Sequence, residues 1–258
     1  MLEETLWLCG FAFLAGFIDA IAGGGGLIQL PALFIVLPAE TEVAPILGTN
    51  KLSSICGTSI ATVQYARKIQ MNWRVALYAA VPAFLLSALG ASVVSLFSKE
   101  SLRPVILLLL IAVAIYTLIQ KNFGAEHTPK LSEHKEKLYA ALIGSSIGFY
   151  DGFFGPGTGS FLIFLFIGIF GFDFLRASAT SKVVNFSTNL AAVLYFGSNG
   201  NVMLLVGLPM GICNIVGALL GARLAILRGS RFIRTLFLLV IFAIIAKFGY
   251  DTFRIITL

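Results

Sequence analysis

Charge is scarce in this chain. Only 12% of its 258 residues are Asp, Glu, Lys or Arg, whereas 58% are hydrophobic. A soluble globule of that length needs more polar surface, so a soluble fold is excluded. Cysteine and histidine are scarcer still, at three and two residues. Cys9, Cys56 and Cys213 lie far apart in apolar surroundings, which argues against a disulfide framework and offers no metal-ligand spacing. They read as small buried apolar residues. His127 and His134 fall in a polar stretch and read as solvated. There is no nucleophile–base pair and no dinucleotide fingerprint. Gly157-Thr158-Gly159 lacks the lysine of a P-loop. Nothing therefore points to an enzyme or a cofactor. The net charge of +6 does not gather on a soluble face, so nucleic acid is not an expected partner. Glu3 and Glu4 stand where a signal peptide would be positive, and the first apolar segment is expected to stay in the mature protein.

Long apolar runs are what the chain has. They cover residues 5–22, 27–37, 43–66, 74–97 and 103–120, then 138–154, 159–170, 176–196, 201–227 and 232–250. The pattern is five and five, on either side of a polar loop at 121–137. It predicts an all-α polytopic membrane protein. The second segment of each half is short. Eleven or twelve helical residues reach roughly 17 Å, about half the hydrocarbon thickness. Each pair of opening segments is either a hairpin that enters and returns, or one full span with one tilted, incomplete span.

Two short motifs recur between the halves. Gly16-Phe17-Ile18-Asp19 with Gly23 and Gly25 matches Gly148-Phe149-Tyr150-Asp151 with Gly155 and Gly157. Thr49-Asn50-Lys51 matches Thr180-Ser181-Lys182. Both opening arrangements return the chain to its starting side, and three long segments follow. Each half then crosses an odd number of times, so the repeats are expected to be inverted. With the N-terminus outside, the inner loops hold twelve of the eighteen basic residues, among them Arg67, Lys68, Arg74, Lys130 and Arg228. That orientation satisfies the positive-inside rule, with both termini outside and 121–137 inside. The expected organisation is a first repeat at 1–120, a linker at 121–137 and a second repeat at 138–258.

An ionisable residue at bilayer depth costs roughly 2.5–3.5 kcal/mol on insertion scales. An acid and a lysine kept in each half therefore mark a candidate site. Lys51 and Lys182 either face the interior or snorkel to the headgroups. Asn50, Ser54 and Thr58 share one helical face, and Lys182, Asn185 and Asn189 share another. The glycine clusters, Gly24, Gly25 and Gly26 in one half and Gly157, Thr158 and Gly159 in the other, have two readings. They pack helices closely, or they expose backbone N–H groups at the positive end of a half-helix, where an anion binds. Asp19 and Asp151 neutralise a lysine, cap the short helix or carry a proton; the sequence does not separate these roles.

These residues resemble the TauE/SafE-type sulfite exporter family, in its YfcA-like branch. The resemblance spans nearly the whole chain. It rests on Gly16-Phe17-Ile18-Asp19-Ala20-Ile21-Ala22-Gly23-Gly24-Gly25-Gly26-Leu27-Ile28, Gly48-Thr49-Asn50-Lys51, Gly148-Phe149-Tyr150-Asp151-Gly152-Phe153-Phe154-Gly155-Pro156-Gly157-Thr158-Gly159 and Ala179-Thr180-Ser181-Lys182-Val183-Val184-Asn185. It implies a transporter of the bacterial inner membrane, exporting sulfite, sulfoacetate or another organosulfonate. The expectation is a site where the glycine tips meet the two lysine helices. Lys51 and Lys182 supply charge there, and Thr49, Asn50, Thr180, Ser181 and Asn185 supply hydrogen bonds. The second half matches the family more fully, so Lys182 is expected to contribute more than Lys51. An anion channel, or an importer of another oxyanion or a carboxylate, is the alternative.

Overall fold

The computed structural model describes residues 2–38, 40–93, 124 and 126–256. Among these residues every regular element is a helix. In chain order they are α1 (Leu2–Ala22), α2 (Gly26–Val36), α3 (Val43–Lys68), α4 (Trp73–Ser92), α5 (Glu133–Phe153), α6 (Thr158–Phe170), α7 (Phe174–Ser198) and α8 (Leu204–Ile256). The expected segment at 103–120 lies outside the described residues. The order of lengths repeats: 21, 11, 26 and 20 residues, then 21, 13 and 25 before the longer α8. Gly229, at φ 71° and ψ −168°, breaks α8 near the boundary expected between 227 and 232. Glu133–Lys137 belong to α5, so the linker loses its last five residues to the helix.

Sequence sets the ends of these helices. Asn72 accepts from Val75 N at 3.2 Å to start α4, and Asp173 accepts from Arg176 N at 2.8 Å to start α7. Each satisfies a first-turn donor left over by the helix. Arg67 and Lys68 close α3, where the negative end of the helix favours cations. Gly171, at φ 73°, ends α6.

Among the described residues, three helices are long and apolar enough to cross a membrane: α1 over Glu3–Ala22, α4, and α8 over Leu204–Leu239. They present Leu6, Trp7, Val81, Leu85, Leu205 and Ile212 outward. The polar helices α3 and α7 turn their charged and amide residues inward: Asn50, Lys51, Lys182, Asn185 and Asn189 are all buried. Packing is reciprocal between halves. α1 lies against α8, and α4 against α5; α3 and α7 meet each other. Small residues permit this closeness. Gly144, Gly148 and Gly152 of α5 rest on the backbone of Ala79, Ala83 and Ser87 of α4. Gly16 rests in the same way on Asn214 of α8. The motif glycines Gly16 and Gly148 thus serve packing.

The two helices of the second opening pair run antiparallel, as both arrangements require. Thr128 N donates to Gly171 O at 2.8 Å, and Lys130 Nζ to Gly168 O at 3.0 Å. The stretch leading into α5 therefore meets the end of α6, and the chain comes back to the end it started from. α1 and α2 pack in the same sense: Leu8 and Ala12 of α1 share one buried cluster with Leu30 and Leu33 of α2.

Candidate functional site

The tips of the two opening pairs interlock. α1 stops at Ala22, and Gly23 turns away at φ 75°. Gly23 O accepts from Ser160 N at 3.0 Å, and Ser160 Oγ donates to Ala22 O at 2.9 Å. A Cβ on either Gly23 or Gly159 would run into the other residue's backbone. The Ala20, Ile21 and Ala22 carbonyls of α1 lack helical partners and belong to buried residues, so each needs a donor. Tyr65 OH donates to Ala20 O at 2.9 Å and Ser178 Oγ to Ile21 O at 3.0 Å. Lys182 Nζ adds a second donor to Asp19 O, which already accepts from Gly23 N at 2.9 Å. The end of α1 is thus held by α3, α6 and α7 together.

Each lysine pairs with the acid of the other half. Lys51 Nζ lies 2.7 Å from Asp151 Oδ2, and both side chains are 3% exposed. Lys182 Nζ lies 2.8 Å from Asp19 Oδ2, with the lysine wholly buried and the aspartate 18% exposed. Neither lysine snorkels. The two pairs differ in detail. Lys182 binds both the carboxylate and the backbone carbonyl of Asp19, and Asp19 Oδ1 reaches Gly25 N at 3.4 Å. Asp151 Oδ2, although in ion-pair range, has no aligned hydrogen bond.

Between the tips and the polar helices lies a polar pocket of about 430 Å³, counting the open space at its mouth. Lys51, Asn50, Ser54 and Thr58 of α3 line it, as do Asn185 and Asn189 of α7. Asp19, Asp151, Gly25, Gly26, Gly157, Thr158 and Gly159 complete the expected residues found there. Gly24, Thr49, Thr180, Ser181 and Lys182 do not line it. Thr49 Oγ1 instead accepts from Met203 N at 2.9 Å, just ahead of α8. Thr180 Oγ1 donates to Arg176 O, and Ser181 Oγ to Ser178 O, both within α7. Neither α2 nor α6 has a side-chain cap at its N-terminus. Their positive ends open towards the cavity beside Gly25 and Gly157.

The sequence did not single out Gln29 or Asn214. Gln29 is wholly buried in α2. Its Nε2 donates to Asn50 Oδ1 at 2.9 Å, and its Oε1 accepts from Ser53 Oγ at 3.1 Å and Asn214 Nδ2 at 2.9 Å. This network fixes the orientation of Asn50 at the cavity wall. Its sign in the sequence is an amide set among apolar residues, Gln29 within 27–37 and Asn214 within 202–222.

A helical bundle with polar helices buried inside, and a charged cavity at the junction of two broken pairs, suits passage of a polar solute. The family profile described as sulfite exporter TauE/SafE matches residues 8–248. A probable membrane transporter protein, ORF9, of Sinorhizobium sp is 38% identical over 93% of this chain and 90% of its own length. A probable membrane transporter protein of Haemophilus influenzae is 37% identical over 93% and 92%. The probable membrane transporter protein YfcA of Escherichia coli K12 is 34% identical over 93% and 88%. No solved structure matches. The chain belongs to the sulfite exporter TauE/SafE family of membrane transporters.

Proposed function

We propose that this transporter carries a small sulfur-containing anion, such as sulfite, sulfoacetate or another organosulfonate, outward across the bacterial inner membrane. Two inverted repeats form it, and rocking of one against the other exposes the cavity to each side in turn. The observation that carries this reading is the polar cavity itself. Two helix N-termini, a lysine, two aspartates and four asparagines converge there in a chain that is otherwise poor in buried charge. Backbone N–H groups and a positive helix end favour an oxyanion. The reciprocal packing and the crossed ion pairs support the repeat.

Counterflow in proteoliposomes tests the mechanism. Preloaded sulfite should accelerate labelled sulfite uptake and saturate. Unsaturable conduction in electrical recordings would make the protein a channel instead.

Gly26 gives a sharper test of the site. A Cβ there has its nearest neighbour at 3.4 Å, Pro156 Cα, and the backbone is not strained. Glycine is the poorer helix former, so Gly26→Val should leave folding intact. The side chain fills the cavity at the start of α2. Anion affinity should fall tenfold or more, about 1.4 kcal/mol, with an unchanged melting temperature. Gly157→Val is less informative, because φ 86° strains any side chain there.

Orientation is tested by single cysteines placed at Glu40 and His127. With the loop inside and both termini outside, an impermeant thiol reagent added outside intact cells should label the first and spare the second. Equal labelling would overturn the inverted repeat.

A further inference from the structure

We infer that the two crossed pairs have different jobs: Lys51–Asp151 is opened by the transported anion in exchange for a proton on Asp151, while Lys182–Asp19 is a permanent tie that ends α1. This rests on the anion-transporter reading above.

The geometry separates the pairs. Lys51 lines the cavity and Lys182 does not. Lys182 is anchored twice on Asp19, by carboxylate and by carbonyl, and is wholly buried away from the cavity. The Lys51 ammonium faces one carboxylate, whose Oδ2 lacks an aligned hydrogen bond. Gly155, at φ 93°, keeps the space beside it clear: a Cβ would stand 2.9 Å from Lys51 Nζ and 3.2 Å from Asp151 Oδ1. An incoming oxyanion thus meets one lysine it can recruit.

Recruitment has a consequence for charge. Asp151 would then be a buried carboxylate without its cation, next to a second anion. That arrangement costs far more than a protonated acid. The other charged or titratable groups nearby do not relieve it. Asp19 is negative and already neutralises Lys182. Tyr150 OH is committed to Pro156 O, and Tyr65 OH to Ala20 O. A proton from water therefore joins Asp151 as the anion takes the lysine. It leaves again when the anion departs and the pair closes.

The test is calorimetric titration of the purified full chain with sulfate, thiosulfate and methanesulfonate, all of which stay ionised from pH 5.5 to 8. Buffers of different ionisation heat count the protons taken up. Wild type should take up about one proton per anion, with affinity falling as pH rises by up to about tenfold per unit. Asp151→Asn should bind without proton uptake. Asp19→Asn should still take up one proton per anion bound by its folded fraction. Lys51→Met, if folded, should not bind. pH-independent binding by wild type, or loss of proton uptake in Asp19→Asn rather than Asp151→Asn, would overturn the exchange while leaving anion transport standing. Failure of wild type to bind any of the three at any pH would overturn both.

Discussion

Lys182→Met is expected to lower the stability of the folded protein by about 3 kcal/mol. Breaking a buried pair by removing one partner costs about 3–5 kcal/mol, because the other charge is left uncompensated. Asp19 keeps 18% exposure to the cavity, which places the loss at the lower end of that range. The substitution also strips the Asp19 carbonyl of its lysine donor. Thermal melting in detergent should show the drop directly. Lys182→Met combined with Asp19→Asn removes both charges and should recover a large part of it, since the two effects are coupled. A single variant that melts like wild type would mean that Asp19 finds another partner and that the pair does not hold the fold.

A larger effect is expected at the crossing of the tips. Gly159→Val drives a branched side chain into the backbone of Gly23. Two backbones cannot both move, because Ser160 bonds Ala22 and Gly23 across the same contact. Overpacking at rigid backbone lies in the rare class above about 4 kcal/mol. Such a loss is comparable with the whole stability of many folded chains. Little monodisperse protein should elute in size-exclusion chromatography. Gly197→Val is the control: nothing lies within 4 Å of a Cβ there, and it should elute as wild type does. A well-behaved Gly159→Val would show that the tips separate at little cost.

The helices were legible because their lengths and apolar runs are local properties. The short segments expected at 27–37 and 159–170 are helices Gly26–Val36 and Thr158–Phe170. The return of 159–170 to the side of its loop was expected from both opening arrangements, but the contacts that hold it there, from Thr128 and Lys130 to the end of α6, were not legible. The cavity face Asn50–Ser54–Thr58 could be read from helical spacing, as could Asn185 and Asn189. Thr180 and Ser181 could not be excluded from that cavity by spacing alone. Their hydroxyls turn back onto the carbonyls of α7, a choice set by what packs around them. Partner choice was the deepest omission. Asp19 and Lys51 lie in one half, and nothing local reveals that each pairs across to the other half. The expectation that Lys182 contributes more than Lys51 followed family likeness; in the structure Lys51 lines the cavity and Lys182 does not.

Crossed pairing also bears on how the chain is made. Asp19 is synthesised 163 residues before the lysine that neutralises it, and Lys51 likewise precedes Asp151. The early helices must therefore enter the bilayer with charges that have no native partner, at roughly 2.5–3.5 kcal/mol each on insertion scales. Until the later helices arrive, neither the first acid nor the first lysine has the partner it holds in the folded chain. The late helices α5 and α7 bring both partners. It follows that the amino-terminal half, translated alone, should be held at the insertion machinery or degraded, and that supplying the other half as a separate polypeptide should rescue it.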